Sequence, residues 1–144
     1  MLILTNNPQG NAEAFWEGGW FRSGDIGVID ADGYLFIVDR MKDMIITGGE
    51  NVYPREVEEI LYARSDVSEC AVIGLPDSEW EEKVTAVIVT KTGQPIDSAK
   101  IKKNLKLRLS AFKVPKEYRF VSELPKSSTG KILKRVLKQS LTDK

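Results

Sequence analysis

Four charges sit close together at Asp39, Arg40, Lys42 and Asp43, inside an otherwise apolar run. A buried strand cannot carry them, because an unpaired charge out of water is costly; a surface joint can. Gly48-Gly49 follows, a backbone free to take φ > 0 and to let another molecule come close. Pro54 then opens a helical pattern. The stretch predicts two bodies and a pivot. Residues 1–39 form a short N-terminal part, residues 40–144 a compact body, and residues 39–43 the hinge.

The remaining pattern fills in both bodies. Residues 11–16 predict a short helix, broken at Gly18-Gly19. Phe15, Trp16, Trp20 and Phe21 form an aromatic cluster whose density predicts exposure and a neighbouring surface that covers it. Ile26, Val28, Leu35 and Ile37 alternate around Asp30-Ala31-Asp32-Gly33, which reads as a β-hairpin. That loop is too short for an EF-hand and lacks its distal glutamate, so its aspartates are expected to serve the turn and not calcium.

Beyond the joint, residues 54–64 have helical spacing, with Val57, Ile60 and Leu61 inward. Residues 67–75 and 84–90 are strands separated by a polar loop holding Pro76 and Asp77. Asp97 is the expected N-cap of a helix that buries Ile101, Leu105, Leu109 and Phe112 and stops at Pro115. A short strand at 118–121 precedes a last helix starting near Gly130. Its inner face is Ile132, Leu133, Val136, Leu137 and Leu141, and Lys131, Lys134, Arg135 and Lys138 look outward. The order predicts an α+β fold: a small mixed sheet with packed helices, plus an N-terminal β-hairpin.

Composition narrows the chemistry. With 144 residues, 42% of them apolar and 29% charged, one globular domain is expected. No apolar run could span a bilayer, and Met1-Leu2-Ile3-Leu4 is too short for a signal peptide, so a cytoplasmic protein is the simplest expectation. Histidine is absent, which removes His-based triads and ordinary zinc sites; no metal ligand set is expected. The lone Cys70 lies in an apolar run and is expected in the core. Net charge is zero but segregated. Residues 1–98 hold 7 Lys and Arg against 18 Asp and Glu, a balance of −11, and residues 99–144 hold 14 against 3, a balance of +11. Either the basic half meets an anionic partner or the two halves face each other.

Three segments carry a resemblance: residues 39–54, Phe21-Arg22-Ser23-Gly24-Asp25, and Pro125-Lys126-Ser127-Ser128-Thr129-Gly130-Lys131-Ile132-Leu133-Lys134-Arg135. In order and spacing they resemble AMP-forming acyl-CoA ligases, relatives of luciferases and peptide-synthetase adenylation domains. The resemblance covers nearly the whole chain. The family's enzymes are several times longer, so it implies a C-terminal piece, silent alone, whose N-terminal adenylation domain is a required partner. Residues 1–39 would then be the tail end of that larger domain.

The resemblance also implies roles. Lys131 matches the catalytic lysine of adenylation, where a positioned ammonium meets charge developing at the phosphoryl centre. Asp25 matches the ribose-binding aspartate and Arg40 a second nucleotide contact. Lys42 matches the hinge. Gly48, Gly49 and Glu50 match the loop along which CoA enters, Glu50 either bridging to the partner domain or orienting the thiol. The implied reaction joins a carboxylic acid to CoA through an acyl-adenylate. ATP, AMP, CoA and Mg2+ are the cofactors, held mainly by the larger domain.

Thr129-Gly130-Lys131 imitates a Walker loop, but Pro125 replaces its first glycine and Ile132 its magnesium-binding hydroxyl. Two alternatives stand beside this reading: the lid of another adenylate-forming enzyme, and a stand-alone basic binding module. Nucleic acid is not expected, because aromatics do not interleave with the basic residues of 100–138.

Overall fold

A computed structural model describes residues 6–143; the Met1–Leu4 stretch considered above lies outside them. The chain divides into two compact units, one running to Lys42 and the other starting at Asp43.

The first unit begins with helix α1, Pro8–Ala14, one turn earlier than its apolar residues suggest. Asn7 explains the shift: its side chain accepts from the Gly10 N–H at 2.8 Å, and Pro8 takes the first helical position. Strands β1, Asp25–Ile29, and β2, Leu35–Arg40, make the expected hairpin. Asp30 Oδ1 accepts from the N–H groups of Asp32 and Tyr34, so the aspartate does close the turn. Val28 faces with Phe36, and Ile29 with Leu35, so both faces are apolar. Both are also exposed, as are Trp16, Trp20 and Phe21. This unit carries more apolar surface than its few residues can cover.

The second unit is a mixed sheet between helices. β3, Ile45–Thr47, and β4, Glu50–Val52, form a tight hairpin; α2, Pro54–Tyr62, follows; β5, Val67–Asp77, and β6, Glu81–Thr90, form the long antiparallel pair. α3, Ser98–Lys106, leads through a 3-10 turn at Ala111–Lys113 to β7, Glu117–Phe120, and α4, Lys134–Thr142, closes the chain. The sheet order is β4-β3-β6-β5, and β7 pairs parallel to β6 on the edge that β3 leaves free. Side chains of β5 alternate between two cores. Cys70 and Val72 pack with Val57, Leu61, Ile101 and Leu105 of α2 and α3, while Ala71, Ile73 and Leu75 pack with Leu137 of α4. Coverage on both faces explains why β5 and β6 are near-continuous apolar runs. Cys70 is buried as expected, and desolvation pushes its thiol up to about 12.

Several boundaries differ from the sequence reading. Pro76 and Asp77 belong to β5, not to a loop; β5 is an edge strand, where proline is tolerated. Arg64 lies beyond α2 and clasps Asp66 instead. α3 stops at Lys106, and Leu109 and Phe112 reach the core through a turn and the 3-10 segment. α4 starts at Lys134 and not near Gly130, and Leu133 and Val136 stay exposed.

Lys134 and Lys138 do not simply look outward. Lys134 pairs with Glu58 at 2.6 Å and Lys138 with Glu82. Lys113 likewise takes Glu56 and Lys126 takes Glu69. The two oppositely charged halves therefore meet in space. Lys83 reverses the pattern by holding Glu117, which Arg119 also contacts. The Lys83 hydrogen bond, with help from Arg119, holds the Glu117 carboxyl below its ordinary 4.5. A carboxyl depressed by folding stabilises above its unfolded value and loses that contribution as pH falls through the folded one. The urea midpoint of the wild type is thus expected to fall more steeply than that of Glu117→Gln between about pH 5 and pH 3. Parallel profiles would remove Glu117 from the acid response.

Candidate functional site

Each group of candidate residues is placed by a different local device. In the first unit, Asp25 and Arg40 face each other across the open end of the β1–β2 hairpin. Arg40 Nε lies 3.3 Å from Asp25 Oδ1, with the guanidinium more than half exposed. Ser23 Oγ accepts from the Asp25 N–H at 3.2 Å, and the carbonyl of Gly24, at φ +75°, accepts from the Met41 N–H at 2.8 Å. The charge pair is held by backbone yet open to water. It can offer a carboxylate and a cation side by side to a polar ligand. Next to it, Asp39 is buried and accepts from the Arg40 N–H at 2.7 Å. Lys42 is exposed in a short 3-10 turn, Met41–Asp43.

In the second unit, Gly48 and Gly49 form the two-residue tip of the β3–β4 hairpin, with φ of +57° and +80°. Two consecutive left-handed residues are what a type I′ turn demands. The strands are only three residues each, too short for an alternation signal, and the sequence reading missed them.

The glycines are not equivalent. A Cβ at Gly48 would come within 2.8 Å of the Trp80 ring, while one at Gly49 meets nothing within 4 Å. Gly48 also donates its N–H to the Trp80 carbonyl at 2.9 Å. Gly48 therefore serves packing inside the protein, and Gly49 presents bare backbone outward. Glu50, next in the chain, is exposed.

Trp80 and Lys116 are neighbours of this tip that sequence reasoning did not single out. The Lys116 ammonium stands 3.1 Å from the Trp80 ring centroid. Asp77 Oδ1 fixes the tryptophan's backbone by accepting from the N–H groups of Glu79 and Trp80. These two hydrogen bonds hold the Asp77 carboxyl below the usual range. Only the Asp77–Trp80 spacing hinted at this arrangement.

Lys131 sits on a braced loop rather than at a helix start. Lys126 bridges Ile132, the Leu133 N–H donates to Pro125 at 2.8 Å, and the Ser127 N–H donates to Lys131 at 2.8 Å. Ser127 Oγ accepts from the Lys131 N–H at 3.2 Å and lies 2.9 Å from Thr129 Oγ1. Gly130, at φ +83°, completes the turn. The Lys131 side chain is exposed, and among the described residues its ammonium has no ion-pair partner. Its neighbours Lys126 and Lys134 are both paired. A rigid loop thus presents one free cation. No group of three or more His, Cys, Asp or Glu among the described residues could hold a metal ion. Among the described residues no helix is long and apolar enough to cross a membrane.

Comparison with known proteins shows which family the chain resembles. Residues 56–131 match the model of the AMP-binding enzyme C-terminal domain. A long-chain-fatty-acid–CoA ligase of Mycobacterium tuberculosis, FadD13, is 48% identical over 93% of the chain, and a feruloyl-CoA synthase of an Amycolatopsis species is 50% identical over 88%. The chain spans only 26% of each of these relatives. ATP-bound MatB from Rhodopseudomonas palustris matches with a TM-score of 0.86 at 42% identity, over 96% of the chain and 27% of its own. Apo MatB matches over the same 96% with a TM-score of 0.73.

Proposed function

We propose, because the chain belongs to the AMP-binding enzyme C-terminal domain family, that it is the moving lid of an AMP-forming acid–thiol ligase. The remainder of such an enzyme, an N-terminal adenylation domain, is the partner that covers the apolar first unit. In the first step a carboxylate oxygen attacks the α-phosphorus of ATP, and the bond to the β-phosphate breaks to release pyrophosphate. Lys131 supplies the ammonium that meets the charge moving through that centre. Asp25 and Arg40 hold the nucleotide, Asp25 through the ribose hydroxyls. In the second step the CoA sulfur attacks the acyl carbon, and AMP leaves with the electron pair of the broken C–O bond.

Lys42 is the pivot between the two states, and Gly48, Gly49 and Glu50 form the track for the CoA arm. ATP and Mg2+ are held chiefly by the partner domain. The carrying observation is that one unit holds two unlike tips, a braced loop with one free ammonium and a hairpin with bare backbone. A pivot that exchanges them would serve two steps with one site. The division between Lys42 and Asp43 supports the pivot.

The test is a chimera in which this chain replaces the matching quarter of FadD13. The expected result is acyl-CoA formation from a long-chain acid, ATP and CoA, with AMP as co-product. A folded chimera that makes neither acyl-adenylate nor thioester would overturn the reading. The identity of the natural acid is carried by the partner domain, as fatty and aromatic acids in the relatives' names at nearly equal identity suggest.

A further inference from the structure

β3 meets β6 at a single position, Thr47 opposite Glu81. In the alternation set by the two-residue turn, Ile46 and Asn51 form the pair whose N–H groups point away from each other. The Ile46 N–H therefore faces an edge that β6 has already left. Glu82 fills the gap: its Oε2 accepts from Ile46 at 2.9 Å. Its other oxygen, Oε1, takes the ammonium of Lys138 in α4.

The Glu82 side chain is only 22% exposed. It lies over Gly74, where a Cβ would stand 2.8 Å from the Glu82 carboxyl carbon and 2.9 Å from Ile45 Cγ2. One carboxylate thus joins the strand leading to Gly48-Gly49 with the helix that follows the Lys131 loop. The other two pairs of this segment, Lys126–Glu69 and Lys134–Glu58, reach β5 and α2 and leave the hairpin alone.

We propose that Glu82 is a positioning residue for the thioester step, fixing the glycine tip relative to α4 so that both loops move as one body. The proposal rests on the function proposed above. An isolated surface ion pair contributes little. A carboxylate that is also the sole acceptor for a strand-edge N–H is different, because its loss leaves that donor unpaired.

Amide hydrogen exchange of the full chain tests the bridge. In Glu82→Ala the Ile46 amide is expected to exchange about tenfold faster, and in Lys138→Met about threefold, with Val72 and Val87 unchanged. Lys134→Met serves as the control and should leave Ile46 as it is. Unchanged Ile46 exchange in Glu82→Ala, or acceleration spread evenly over β5 and β6, overturns the bridge.

In the FadD13 chimera, Glu82→Ala is expected to lose about tenfold in thioester formation with adenylation held within about twofold, and Glu82→Asp to recover part of it. Equal loss in both half-reactions overturns the positioning role. An inert wild-type chimera with the expected exchange pattern sinks the ligase reading and leaves the bridge standing.

Discussion

Lys131→Ala in the chimera is expected to slow acyl-adenylate formation by about 10²–10³-fold. Thioester formation from supplied acyl-adenylate should stay within about threefold, because in the proposed division of roles the second step does not use that ammonium. The magnitude follows from the site's build. The loop around Lys131 is held by backbone bonds from Pro125, Ser127 and Leu133. None of those bonds uses the lysine side chain, so truncating it removes a charge and spares the brace. Circular dichroism and melting temperature should therefore match the wild type. Equal loss in both half-reactions, with the fold intact, would overturn the division of labour between the two loops.

Gly49→Val is expected to show the mirror image. Acyl-adenylate formation should stay within about threefold while the thioester step falls by about 10²-fold, since a displaced reactant is costly even at small distances. Among the described residues beyond its chain neighbours, nothing lies within 4 Å of a Cβ at Gly49, so the added bulk points toward what enters from outside. Some stability is lost as well, because a side chain at φ +80° is strained by about 1–2 kcal/mol. Gly48→Ala serves as the contrast: its methyl would strike the Trp80 ring, and its first effect should be on melting temperature. A thioester rate in Gly49→Val equal to the wild type would remove the glycine tip from the path of the CoA arm.

Long apolar patterns were readable from the residues alone, and short hydrogen-bonded ones were not. β5, β6, α2 and the Asp97 cap announce themselves by periodicity and side-chain chemistry, and Asp97 does accept from the Ala99 N–H at 2.9 Å. The β1–β2 turn was legible because Asp30 has a local job. The start of α4 was not. Gly130 and the apolar residues after it suit a helix, but the Leu133 N–H is taken by Pro125, which delays the helix to Lys134. The roles of Lys134 and Lys138 were hidden for a related reason. Their partners Glu58 and Glu82 lie far away in sequence, and no local pattern reports a long-range pair. At the candidate site, Lys131, Asp25, Arg40, Lys42 and the glycines were named from motif resemblance. Trp80, Lys116 and Glu82 required coordinates, because each matters through what it touches.

The segregated charge has a bearing on how the protein is made. A ribosome delivers the carboxylates of Glu56, Glu58, Glu69 and Glu82 well before Lys113, Lys134, Lys126 and Lys138 that neutralise them. Until the last helix emerges, the nascent sheet carries an excess of negative charge and one apolar face without its cover. Lys134 and Lys138 lie on α4, so the charge of Glu58 and Glu82 is neutralised by the same helix whose Leu137 covers that apolar face.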